Sequence, residues 1–256
     1  MELSIYQEEV FDRYKSNSQR IRVLTENWMG NNMFCPACSH LEINKFPNNQ
    51  PVADFFCPQC NQQFQLKSQK SKFGKRILDG AYTLMIDSIK HDIRPNFFLL
   101  KYNTDYYIEN LFLLPYFFFT ETIIEKRKPL SQRARRAGWI GCNVLLNKIP
   151  PEGIIKIIHE KEIYDKTTVH NQWKKVSFIK DTTLPERGWT LDVLRVIHAL
   201  EKKEFSLKEV YEYEEELAKD HPENQHVKAK IRQQLQFLRD KGIVSFRERG
   251  KYIALR

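Results

Sequence analysis

Apolar residues recur along the chain at two periods, and the switches between them mark out its elements. Over residues 5–14, Tyr6, Val10, Phe11 and Tyr14 share one face of a helix. A second helix, with Ser18 as N-cap, turns Ile21, Leu24 and Trp28 inward and closes at residues 29–32. A knuckle, F-C-P-A-C-S-H, and a loop reaching Asn49 follow, and then the period falls to two. The stretch V-A-D-F-F-C-P-Q-C-N-Q-Q-F-Q-L-K, residues 52–67, reads as two strands joined by a cysteine-bearing turn. The first strand ends near Asp54; the second sends Phe64 and Leu66 into the domain and Gln65 with Lys67 to the opposite face. A basic run, S-Q-K-S-K-F-G-K-R, leads into a helix over 77–90 that carries Ile77, Ala81, Leu84 and Ile89. Residues 96–102 and 106–119, aromatic and branched, read as buried strands, with shorter ones at 144–146 and 154–158. The polar region 159–173 fits neither period. This order predicts an α/β (α+β) fold with a mixed sheet flanked by helices.

A linker at 182–187, marked by Pro185, separates the last seventy or so residues, where helical spacing returns. Residues 189–200 bury Leu191, Leu194, Ile197 and Leu200, and S-L-K-E at 206–209 is a capping box that opens a second helix. A third, 224–241, turns Val227, Ile231, Leu235 and Leu238 inward and leaves Lys228, Arg232 and Gln233 outside. Gly242 ends it, and residues 243–246 and 251–255 flank a basic tip, R-E-R-G. Three helices and a two-stranded wing make a winged helix-turn-helix, whose third helix enters a major groove. The division expected is therefore 1–182 and 183–256, and 256 residues are enough for two domains of roughly 150 or fewer.

A formal charge of +9 favours a polyanionic partner. The longest apolar block, 111–119, is interrupted by Pro115 and is far short of the ~20 residues of a membrane span. The N-terminus, M-E-L-S-I-Y-Q-E-E, lacks the basic and then apolar pattern of a signal peptide, so a cytoplasmic protein without a membrane partner is expected. Four of five cysteines form two C-x-x-C pairs, Cys35/Cys38 and Cys57/Cys60. Two such pairs about twenty residues apart match a structural, four-thiolate zinc site, with no position left for water. Cys142 stands apart and reads as a small buried residue.

Asp54, Gln65 and Lys67 bring a carboxylate, an amide oxygen and an ammonium together, a set able to hold a divalent metal and steady a phosphate, although the spacing alone also suits the polar face of a hairpin. The run from Lys126 to Arg136 is by default a solvated face, and the Trp139 behind it by default a core residue; together they offer cations and an aromatic to nucleic acid.

Four stretches carry a resemblance: S-N-S-Q-x-x-R-x-L-T-E-x-W (16–28), V-A-D-F-x-C-x-x-C (52–60), A-R-R-A-G-W-I-G-C-N (134–143) and I-R-Q-Q-L-Q-x-L-R-D-K (231–241). Over nearly its whole length the chain resembles the DpnI family of restriction endonucleases, which cleave G-A-T-C when its adenine is methylated. The resemblance implies a PD-(D/E)XK nuclease core with an embedded zinc site, followed by a winged helix that reads methylated DNA independently. It implies Asp54 as the motif aspartate holding Mg2+, with Mn2+ able to substitute, and Lys67 as the motif lysine. Position 65 departs from the family, which expects a carboxylate where this chain has Gln65; weakened cleavage with DNA binding retained follows. That glutamine is either a natural variant or a near-isosteric replacement of glutamate. The 6-methyl group lies in the major groove and needs an aromatic wall, for which Trp139 is the candidate, with Arg135 and Arg136 on phosphate or guanine. Lys228, Arg232 and Gln233 would serve on the recognition helix, and Arg247 and Arg249 on the wing. A monomer on double-stranded, adenine-methylated DNA is expected. The rivals are a catalytically silent methyl-adenine reader or transcription regulator, and an HNH nuclease. The latter lacks the second histidine that His40 would need beside the knuckle.

Overall fold

The computed structural model describes residues 1–47 and 53–255. In chain order its elements are α1 (Glu8–Arg13), α2 (Asn17–Asn32), β1 (Asn44–Lys45), β2 (Phe55–Phe56), β3 (Gln63–Gln69), β4 (Arg76–Ala81), α3 (Tyr82–Lys90), β5 (Asn96–Tyr102) and β6 (Ile108–Leu114). Then come β7 (Ile124–Lys126), β8 (Gly141–Leu145), β9 (Ile155–His159), β10 (Glu162–Ile163) and α4 (Lys166–Val176). The chain ends with α5 (Leu184–Ala199), β11 (Glu204–Ser206), α6 (Leu207–Tyr211), α7 (Glu214–Asp220), α8 (Val227–Asp240), β12 (Val244–Glu248) and β13 (Lys251–Ala254). They fall into two compact units. One comprises Met1–Ile77, His91–Tyr116 and Glu152–Ser177; the other comprises Leu78–Lys90, Phe117–Pro151 and the chain from Phe178 onward.

The first unit is built on a seven-stranded mixed sheet, in the order β1-β2-β3-β5-β6-β9-β10 among the described residues. Only β3 and β5 run parallel, paired from Phe64↔Asn96 to Gln69↔Lys101. The central β5 buries Phe97, Phe98, Leu99 and Leu100 in succession, as a strand covered on both faces must. Among the described residues, β2 covers β3 only at Phe64 and Gln63, and no described strand pairs with that edge of β3 from Gln65 onward.

Strands β4, β8 and β7 form a three-stranded sheet, and the C-terminal region, in the second unit, folds among the described residues as four α-helices, α5 to α8, with the sheet β11-β13-β12. Its core gathers Trp189, Val193, Ile197, Ile231, Leu235, Leu238 and Tyr252. A buried hydrogen bond from Thr190 Oγ1 to Gln234 Oε1, 2.7 Å, ties α5 to α8.

Several expectations are corrected. The helix over 77–90 is helical only from Tyr82; before it, Arg76–Ala81 alternates in exposure and pairs as a strand, and Leu84 faces solvent. Ile77 and Ala81, four apart, satisfy either period, but Gly80 between them weakens a helix. The strand over 106–119 stops at Leu114, before Pro115, and Tyr116–Phe118 is a 3-10 turn. Region 159–173 holds β10 and most of α4, capped by Asp165. The supposed linker is the start of α5: Thr183 and Glu186 form a capping box, Pro185 occupies the first turn where its missing N–H costs nothing, and Arg187 is buried. The N-cap of α2 is Ser16, not Ser18, and the helix runs through Asn32. The second winged-helix helix is broken into α6 and α7.

Candidate active site and nucleic-acid interface

Asp54 precedes β2 instead of ending a strand; the strand expected from Val52 begins outside the described residues. Its backbone N–H donates to Phe64 O (2.9 Å), and its Oδ2 accepts from Leu66 N–H (2.7 Å). The side chain thus satisfies a backbone N–H of β3 beyond the described β2–β3 pairing, and that bond fixes its direction. Leu66, expected inside, is only half-buried and lines a cleft, whereas Phe64 is fully buried and stacks on Phe98.

Asp54 and Gln65 line one cleft of about 540 Å3, together with Arg22, Thr25, Glu26, Ser68 and Tyr102. Burial raises the Asp54 carboxyl above its ordinary value against the Leu66 N–H; Glu26 adds to the rise, while Lys67 and Arg22 oppose it. Lys67 lies on the Gln65 face of β3, half-buried, with its ammonium 5.2 Å from the Phe97 ring centre. The structure therefore brings Asp54, Gln65 and Lys67 into one neighbourhood. It adds Glu26, which the sequence reading passed over. This carboxylate of α2 is 5% exposed and is clasped by Arg22 Nε (2.7 Å) and Lys45 Nζ (2.6 Å). A buried acid needs such pairing; in the sequence it looks like any charged helix position.

The thiolate ligands expected for zinc also converge. Cys35, Cys38, Cys57 and Cys60 place all four sulfurs within 4.8 Å of one another, with Cys35–Cys60 and Cys38–Cys57 at 3.6 Å. A tetrahedron with Zn–S of about 2.3 Å has edges of about 3.8 Å, so the cluster can hold a zinc ion. The two knuckles repeat one backbone plan. Cys35 N–H donates to His40 O and Ser39 N–H to Cys35 O; Cys57 N–H donates to Gln62 O and Asn61 N–H to Cys57 O. Ser39 (φ 61°) and Asn61 (φ 59°) make the matching left-handed turns. Burial pushes the Cys35 thiol up and the Cys60 thiol up to about 11, so metal binding must displace protons there.

Trp139 is half-exposed and not part of a core; Arg136 lies over its ring at 5.0 Å, and its indole covers Gly141 so closely that a Cβ there would come within 2.8 Å of it. Arg135 and Arg136 are exposed in the same turn, which is closed by Leu130 N–H to Trp139 O and Gly138 N–H to Leu130 O. Cys142 is buried as expected. On α8, Lys228 pairs with Glu214 (2.9 Å), Arg232 donates to Tyr211 Oη (3.0 Å) and Gln233 is exposed. On the wing Arg247 pairs with Glu204, and Arg249 is exposed beside the left-handed Gly250 (φ 76°).

The family model described as the Dam-replacing family, DpnI, matches residues 1–182, and the one described as the Dam-replacing HTH domain matches residues 185–253. The chain belongs to the DpnI family. That family is one of methylation-dependent restriction endonucleases, so membership points to a nuclease, and the helix-turn-helix domain points to DNA as the partner. Among the described residues no helix is long and apolar enough to cross a membrane. Within this DpnI-family chain, the Asp54 cleft lies in the first match and helix α8 in the second.

Proposed function

We propose that this chain hydrolyses the backbone of double-stranded DNA at G-A-T-C bearing 6-methyladenine, as a magnesium-dependent type II restriction endonuclease. Its nuclease domain spans 1–182, with a PD-(D/E)XK core, and its winged-helix domain spans 183–256. The observation that carries this reading is the Asp54 carboxylate, held by the Leu66 N–H of β3, with Gln65 and Lys67 on the adjoining strand positions.

Asp54 and the Gln65 amide oxygen are hard oxygen donors that suit Mg2+ or Mn2+, which when bound supplies Lewis acidity toward the scissile phosphate and the attacking water. Gln65 contributes no charge, so metal affinity and cleavage are attenuated. The Lys67 ammonium orients the attacking water and balances charge building on phosphorus. Zinc on Cys35, Cys38, Cys57 and Cys60 fixes the turn that joins β2 to β3, and through it the distance between Asp54 and Gln65. Trp139 forms the apolar wall for the methyl group, with Arg135 and Arg136 on the adjacent backbone or guanine. Lys228, Arg232 and Gln233 read the groove, and Arg247 and Arg249 hold phosphates. The protein works in the cytoplasm as a monomer.

A silent methyl-adenine reader is the second reading, favoured by Gln65 alone. The test is cleavage of a plasmid carrying methylated G-A-T-C beside its unmethylated twin, with magnesium and with manganese, by this chain and by Gln65→Glu. Cutting of methylated DNA only, faster with glutamate, is expected. Binding to methylated DNA with no cutting by either protein establishes the reader.

A further inference from the structure

The cleft contains a cation for which the roles of Asp54, Gln65 and Lys67 leave no task. Arg22 stands on α2 with its side chain 58% exposed, yet its Nε is anchored at 2.7 Å to Glu26, whose side chain is 6% exposed. Glu26 is itself held from the other side by Lys45, Nζ to Oε2 2.6 Å. An exposed arginine ordinarily forfeits rotamer entropy when it binds anything. Here a buried, doubly clasped carboxylate has already fixed the guanidinium, and the bond runs through its inner nitrogen and not through the two terminal nitrogens, the fork that matches phosphate. Arg22 lines the cavity that Asp54 and Gln65 line, and its charge and that of Asp54 act on each other. Glu26 is the worse candidate for a metal ligand, since both its oxygens already bond to cations.

Resting on the nuclease reading above, we propose that Arg22 grips a backbone phosphate of the cleaved strand with its terminal guanidinium nitrogens, and that Glu26 is the residue that positions it. Arg22 supplies a fixed positive charge and two parallel donors to one phosphate. Because Gln65 leaves the cleft one negative charge short of the family pattern, the approach of that phosphate is easier here, and Arg22 holds it beside Asp54.

The experiment uses the full-length protein without magnesium or manganese and without chelator, so that nothing is cut and the zinc is kept, and methylated duplexes carrying one neutral methylphosphonate at each phosphate in and beside G-A-T-C in turn. For the unaltered protein, at least one position is expected to weaken binding about tenfold, the size of a lost charge-assisted contact. In Arg22→Ala that penalty should vanish while the others persist. Arg22→Lys should not restore it in full, since lysine cannot be anchored and still present a fork. Glu26→Gln should shrink it with Arg22 still present, and thermal melting of each variant reports its folding. If Arg22→Ala keeps every penalty of the unaltered protein, the phosphate grip is wrong even where cleavage of methylated DNA is observed. If the unaltered protein neither prefers methylated duplex nor shows any penalty, the nuclease reading and this inference fall together.

Discussion

In the first unit, charge is half-buried or buried and held by fixed partners: Asp54 accepts from the Leu66 N–H of β3, and Glu26 is clasped by Arg22 and Lys45. In the second, charge is spread over an exposed helix and wing, where Lys228 faces Glu214, Arg232 meets Tyr211 and Arg247 faces Glu204. Groups of the first kind are fixed before a ligand arrives, as preorganised chemistry requires. Those of the second kind have exposed surface partners of little net strength, which under the proposed function would be exchanged for phosphate. Preorganisation draws its rigidity from distant residues, so damage to the first unit should be drastic and damage to the recognition surface graded.

The largest effect is expected at the knuckles. Structural zinc in finger peptides contributes on the order of 10 kcal/mol of apparent binding free energy at pH 7. Cys57→Ser should therefore abolish stoichiometric zinc by elemental analysis and remove one calorimetric transition, while the winged helix still melts cooperatively. Next in size, Thr190→Val leaves the buried Gln234 amide without its 2.7 Å partner, and should cost about 1–3 kcal/mol in denaturant unfolding.

Smaller effects should appear on the DNA-facing surface. Glu204→Gln and Glu214→Gln release Arg247 and Lys228 from their own carboxylates, and each should tighten DNA binding a few-fold at low salt. Arg249→Ala should instead reduce the slope of log affinity against log salt by about one, read by fluorescence anisotropy across a salt series.

The smallest is a pH effect at Glu209. Its carboxyl, bonded to Lys202 and to the N–H and hydroxyl of Ser206, is lowered to about 2 from an ordinary 4.5. A carboxyl lowered on folding contributes stability that is complete above its unfolded value and is lost as pH falls through its folded one. Glu209→Gln should slightly lower the melting temperature at neutral pH and flatten the loss of stability between about 4.5 and about 2. Melting curves across that range check it.

The winged helix was legible because its helical spacing, capping box and terminal Gly242 all act within a few residues. The four cysteines were legible because two C-x-x-C pairs leave tetrahedral geometry as the simplest outcome. What stayed hidden depends on contacts far apart in the chain. Asp54 is aimed by an N–H twelve residues on, and Glu26 is buried by Lys45, nineteen residues on. Neither distance shows in a period of two or 3.6. Residues 76–81 failed for the opposite reason: their local pattern suits both periods, and pairing in the β4-β8-β7 sheet decides between them.

The most direct test of the central claim is single-turnover hydrolysis of a short methylated G-A-T-C duplex in magnesium, comparing the unaltered chain with Lys67→Ala at matched DNA occupancy. The account predicts slow but strictly methyl-dependent cutting by the unaltered protein and a loss of about 100-fold or more for Lys67→Ala, with binding unchanged. Equal rates for the two proteins, or equal cutting of methylated and unmethylated duplex, would contradict it.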